Sequence, residues 1–141
     1  MSTEAMENYL EAIYLLTKRK QRVRISDISS ALKVKAPTAT EMVQRLADRG
    51  LVTYKPYKRN IQLTAEGEVE AVKVMKKHNI LKGFLQLLGV SEEIAEEDAC
   101  KIEHHIHHET MNRLSKFIEF IQIHPESPKL LESFRSFCCE K

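Results

Sequence analysis

Cys100, Glu103 and His104 are spaced i, i+3 and i+4, so on a helix their side chains share one face. A thiolate, a carboxylate and an imidazole are all donors to a divalent transition ion, and such an ion needs donors that converge. His78, one turn below an apolar seam on the preceding helix, is a fourth donor of the right type. Asn8 and Glu11, three apart, share a face of the first helix. Donors on separate helices would make a site that ties the two parts of the chain together. The neighbouring His105, His107 and His108 read as surface residues or as partners that orient ligands, although His104 and His108, four apart, could share an ion. A zincin motif is excluded, because His108-Glu109 is followed by Thr110, Met111 and Asn112 and no second histidine completes it. The plain alternative is a polar helix face with Cys100 as a small core residue.

The elements that must position these groups read as mainly helical. Residues 4–19 carry Met6, Leu10, Ile13 and Leu16 at helical spacing. Val23 and Ile25 alternate in a short extended stretch, and Ser26 is a good N-cap for a second helix bearing Ile28 and Leu32. Pro37 suits the first position of a third helix, which turns Met42, Val43 and Leu46 inward and stops at Gly50. The period then changes to two: 51–55 and 60–64 read as short strands. Thr64 caps a long helix that ends at Gly89, and 91–121 is a further helical stretch with an expected break near residue 96. HPESP is a turn, followed by a last amphipathic helix. Three helices and a hairpin in that order predict a winged helix-turn-helix over residues 1–63, and an all-helical domain over 64–141.

Composition sets the class. The 141 residues are 43% hydrophobic and 30% charged with only 4 Gly and 4 Pro, which fits a globular helical protein. No apolar run reaches the ~18 residues of a membrane span, and the N-terminus is not a signal peptide, so a cytoplasmic protein is expected. Three cysteines, with Cys138 and Cys139 adjacent, argue for reduced thiols rather than a disulfide framework. Net charge is +2, but residues 17–60 hold 12 Lys or Arg against 3 acids, while the remainder holds 10 bases and 17 acids. A basic module joined to an acidic one suits nucleic acid at one end and cations at the other.

A recognition helix reads the major groove from its N-terminal turns. Here those turns are expected to expose Pro37, Thr38, Ala39, Thr40, Glu41, Gln44 and Arg45. Small residues let the backbone approach, Thr and Ala methyls suit the thymine methyl, and Gln44 and Arg45 can reach base edges or phosphates. Lys33 and Lys35 before that helix, with Lys55, Lys58 and Arg59 on the wing, would neutralise phosphates.

Four segments, MENYLEAIYLL, APTATEMVQRLADRGLV, LTAEGEVEAVKVMKKH and DACKIEHHI, resemble those of the diphtheria toxin repressor family, the iron-dependent and manganese transport regulators. The likeness runs from about residue 5 to residue 121 in the family's order. It implies a winged-helix domain, a helical dimerisation domain and metal-activated repression of metal-uptake genes. By position it implies ligands at Asn8, Glu11, His78, Cys100, Glu103 and His104. Cys100 resembles the iron branch, whose counterpart is also Cys. Glu11 and the short C-terminus resemble the manganese branch. Asn8 stands where the iron type has Met and the manganese type Asp. Lys82 falls where an acid is usual and Glu96 where a His is usual; Glu96 could still bind metal, whereas a charged Lys82 could not.

The reading that follows is an Fe(II)-dependent repressor that binds a double-stranded DNA operator as a homodimer. An Mn(II)-responsive regulator is the alternative, and Co(II), Ni(II) or Zn(II) would substitute in vitro. Metal would select the spacing at which two recognition helices meet successive major grooves, ~34 Å apart. Leu81, Phe84, Leu85, Leu88, Ile106, Leu114, Phe117 and Ile118 are expected at the dimer seam. No membrane and no small organic substrate are expected as partners. Two rivals remain: a winged-helix regulator sensing an organic ligand, and a metal-dependent enzyme using the histidine cluster. The second lacks a general base at a defined spacing and a substrate-binding loop.

Overall fold

A computed structural model describes residues 3–55, 57 and 60–139. The chain divides into two compact units, Met1–Met75 and Lys76–Lys141. The element order is α1 (Glu4–Arg19), α2 (Ile25–Leu32), α3 (Ala36–Asp48), β1 (Val52–Lys55), β2 (Asn60–Leu63), α4 (Ala65–Leu87), α5 (Glu92–Ile102), α6 (His108–Ile123) and α7 (Ser127–Cys139). This is the mainly helical architecture with a two-stranded wing that the sequence predicts.

In the first unit, α1 opens on Thr3, whose hydroxyl accepts from the Met6 N–H at 3.1 Å. Glu4 and Glu7 lie in its first turn and Lys18 and Arg19 in its last, matching the helix dipole. Its buried face, Met6, Tyr9, Leu10, Ile13 and Leu16, packs with Ile28 of α2 and with Val43 and Leu46 of α3. The start of α2 differs from the expectation: Arg24, not Ser26, is the N-cap. Asp27 explains the shift, accepting from the Arg24 N–H at 2.9 Å and from the Lys20 ammonium at 2.7 Å. Lys33 ends α2 in the left-handed region at φ 57°, a conformation that turns the chain sharply into α3. Pro37 sits in the first turn of α3, where no intrahelical N–H is needed.

β1 and β2 pair antiparallel, Val52 opposite Leu63 and Lys55 opposite Asn60. Val23 lies along β2: its carbonyl accepts from the Ile61 N–H at 2.8 Å, and its N–H donates to the Asn60 side chain at 3.4 Å. Thr64 joins wing and helix, donating to the Gly50 carbonyl at 2.6 Å and accepting from the Gly67 N–H at 3.0 Å. Gly67 approaches the Leu51 backbone so closely that a Cβ would overlap its carbonyl.

In the second unit, Leu81, Ala99 and Met111 form the core, with Ile80, Ile106 and Leu114 against them. Leu81 therefore belongs to this unit's own core and not to a dimer seam. The helix breaks at 103–107 rather than near residue 96. Glu103 still has helical angles and its N–H donates to the Ala99 carbonyl at 3.0 Å, whereas His104 lies in the turn beyond. Neither Gly nor Pro marks that break. Phe84 and Phe117 meet edge to face, ring centroids 6.3 Å apart.

Candidate metal centre and nucleic-acid interface

His78 is the hub of the polar cluster in the second unit. It projects from α4 and is buried, with Nε2 2.8 Å from Glu96 Oε2 and Nδ1 3.1 Å from Glu103 Oε2. Cys100 Sγ lies 3.7 Å from His78 Nδ1 and 3.9 Å from Glu96 Oε2. Glu96 and Cys100 are one turn apart on α5, and Glu103 extends the same face beyond its end. His104 Nε2 is 3.3 Å from Glu103 Oε1, so it touches the cluster through Glu103. Glu103 is only 1% exposed, and burying a carboxylate that deeply costs several kcal/mol unless opposite charge or strong donors compensate.

These residues fit a divalent ion. A neutral imidazole has one N–H, yet both ring nitrogens of His78 face carboxylate oxygens. One nitrogen must then present its lone pair to an anion, unless the ring is charged or a cation lies among the donors. One ligand atom from each of His78, Glu96 and Cys100 falls within 4.8 Å of the others. Small side-chain shifts would bring all three to the ~2.0–2.3 Å that a bound ion requires.

The cluster's rim is charged. Lys82 Nζ donates to Glu96 Oε1 at 3.1 Å and to Glu92 Oε2 at 3.5 Å. The Glu96 contact, opposed by partial desolvation, leads in raising the Lys82 pKa above its ordinary value. For Glu96, desolvation pushes the carboxyl up, but hydrogen bonds from His78 and Lys82 outweigh it and hold the group below its usual range. Asn8 and Glu11 lie three residues apart on α1, half-buried in the first unit. His105, His107 and His108 are exposed around the helix break.

On the candidate DNA-binding face, Pro37, Thr38, Glu41, Gln44 and Arg45 are exposed on α3, with Thr40 half-buried. Ala39 corrects the expectation: it is fully buried, because it shares a helical face with Val43 and Leu46 in the core. Glu41 and Arg45 pair at 3.5 Å, and Gln44 donates to Asp48 at 3.3 Å. Exposed contacts of this kind are worth ~0.2–1 kcal/mol, so both side chains can be redirected at little cost. Lys33 and Lys35 are exposed in the turn before α3. Lys58 and Arg59 lie outside the described residues, while Lys55 is exposed at the end of β1.

The lysine link from Glu96 to Lys82 was not legible beforehand. Those residues are 14 apart on different helices, and no periodicity connects them.

Comparison with known proteins agrees with this division of labour. The family model for the iron dependent repressor N-terminal DNA binding domain matches residues 1–59. The model for the iron dependent repressor metal binding and dimerisation domain matches residues 64–131. The HTH-type transcriptional regulator MntR of Lysinibacillus sphaericus is 35% identical over 136 residues, covering 96% of this chain and 97% of its own. An uncharacterized HTH-type transcriptional regulator of Methanocaldococcus jannaschii is 39% identical over 119 residues, covering 83% of this chain and 94% of its own. A manganese-dependent transcriptional repressor, solved in complex with manganese, superposes with TM-score 0.75 at 26% identity. That match covers 82% of this chain and 53% of the repressor, so the chain spans about half that solved protein. The chain belongs to the iron dependent repressor family of metal-dependent transcriptional regulators.

Proposed function

We propose that this protein is a repressor that binds operator DNA as a homodimer when a divalent transition ion occupies the cluster around His78, and that it controls metal-uptake genes. The observation that carries the reading is His78 itself, with a carboxylate on each ring nitrogen and a thiol beside it. The proposed ligand set is Asn8, Glu11, His78, Glu96, Cys100, Glu103 and His104, the first two supplied by the DNA-binding domain. When bound, the ion supplies the positive charge that lets buried anionic donors sit together. The chain's own residues do the rest. His78 and Glu103 anchor the cluster on α4 and beyond α5, and Glu96 and Cys100 present donors one turn apart. Exposed α3 side chains meet base edges, and Lys33, Lys35, Lys58 and Arg59 neutralise phosphates, so affinity should fall steeply with salt.

The dimer reading is supported by apolar surface that a monomer would leave in water. Phe120, Ile123, Leu130 and Phe137 of α6 and α7 are exposed, Ile123 by 76% and Phe137 by 74%. The match to a family described as metal binding and dimerisation supports the same assembly.

Likeness to a manganese-dependent transcriptional repressor supports Mn(II) as the ion. A second reading, Fe(II), is favoured by Cys100, because a thiolate beside an imidazole is a softer donor pair than Mn(II) prefers. Midpoints of DNA binding against free Fe(II) and Mn(II), both anaerobic, separate the two. Cys100→Glu combined with Asn8→Asp should move the ratio of midpoints toward manganese by about tenfold or more, a difference of ~1.4 kcal/mol. An unchanged ratio would mean that Cys100 does not select the ion.

A further inference from the structure

Glu96 divides its two oxygens between different partners. Oε2 faces His78 Nε2 at 2.8 Å and Cys100 Sγ at 3.9 Å, inside the donor cluster. Oε1 faces outward to the Lys82 ammonium at 3.1 Å. Lys82 is itself steadied by Glu92 at 3.5 Å, and its side chain is 24% exposed, so it is neither a freely solvated surface lysine nor a buried one.

Two consequences follow from that geometry. A carboxylate held at one oxygen by an ammonium has lost most of its rotational freedom, so its other oxygen is presented to the cluster before any ion arrives. A carboxylate that bridges two ions through separate oxygens gives one to each, and here Oε1 is taken by a cation that the chain carries. A further dication approaching Oε1 would meet the ammonium at van der Waals range and be repelled. We propose that Lys82 is a resident cation of the metal centre: it positions Glu96 for an ion in the cluster of His78, Glu96 and Cys100 and occupies the place beside Oε1 where a further ion would bind. Glu96 therefore serves one ion in this chain and bridges to no other through Oε1. Lys82 acts through Glu96 and touches no bound ion, so it is a positioning residue that keeps Glu96 to one ion.

The inference rests on the metal centre proposed above, and the test separates the two. The probe is Co(II), added anaerobically in equilibrium dialysis to the full chain, with bound ions per chain counted by elemental analysis. The visible spectrum is recorded alongside, because a thiolate-to-cobalt band reports Cys100. The wild type should bind Co(II) and show that band, and its count of ions per chain is the reference. Lys82→Arg should keep that count with little loss of affinity, since a guanidinium can hold the same oxygen. Lys82→Met should bind that ion about tenfold more weakly or worse, as loss of a group that orients a ligand commonly does. Lys82→Glu should take up one ion per chain more than the wild type. An unchanged count in a folded Lys82→Glu chain, or unchanged affinity in Lys82→Met, would each overturn the role given to Lys82. A wild type that binds no Co(II) would overturn the centre itself, a different result from any of these.

Discussion

At the scale of single residues, the proposed metal centre turns on His78 and Glu103, a buried imidazole and a buried carboxylate 3.1 Å apart. His78→Ala and Glu103→Ala should each weaken metal-activated DNA binding by about 100-fold or more while circular dichroism still reports a folded helical chain. Retention of the wild-type metal response by both variants would place the site elsewhere. Much of this cluster could be read from residue type and spacing, because Cys100, Glu103 and His104 are close in the chain and a helix brings such neighbours to one face. Spacing alone did not show how they are placed. His104 lies beyond the end of α5 and reaches the cluster through Glu103, and His78 holds the centre from another helix. Ala39 shows the same limit on the DNA side: a small residue on a recognition helix suits close approach to DNA, yet its period with Val43 and Leu46 buries it.

At the scale of elements, the junction of wing and α4 should be the most sensitive part of the first unit. Gly67 has no room for a side chain against the Leu51 carbonyl, and Thr64 links the Gly50 carbonyl to the first turn of α4. Gly67→Ala should cost about 3 kcal/mol of stability, the upper end of overpacking in a tight contact. Thr64→Ala should cost about 1 kcal/mol, the usual loss of an N-cap. Denaturant unfolding measures both, and a Gly67→Ala chain as stable as wild type would refute the close approach. The helices and the hairpin of this unit were legible because each carries a clean period and a stop signal, as Gly50 does with φ +76°. The break at 103–107 was not, since it is formed without Gly or Pro around a buried Glu103. The start of α2 was displaced for a related reason: a carboxylate at Asp27 outcompeted the serine hydroxyl expected to cap it.

At the scale of the whole molecule, the proposal needs two copies of the chain and a basic surface for DNA. Ile123→Glu together with Phe120→Glu puts charge into the exposed apolar face of α6 and should yield monomers in sedimentation experiments at micromolar concentration. Dimers of undiminished strength would move the interface to another face. Charge asymmetry was visible in the sequence from the start, with 12 Lys or Arg against 3 acids over residues 17–60. The seam expected from the sequence includes Leu88 and Phe117, which are exposed, but not Phe120, Ile123, Leu130 or Phe137, because these follow the same helical period as residues that turn inward.

The central claim, that occupancy of the His78 cluster switches DNA binding on, is tested most directly by the affinity of the purified chain for operator DNA. Fluorescence anisotropy would compare metal-stripped protein with protein held anaerobically in saturating Mn(II) or Fe(II), at one fixed salt concentration. The account predicts at least about tenfold tighter binding with metal, a coupling of ~1.4 kcal/mol, and the same coupling measured in reverse as tighter metal binding on DNA. Equal affinity in the stripped and loaded states would contradict it.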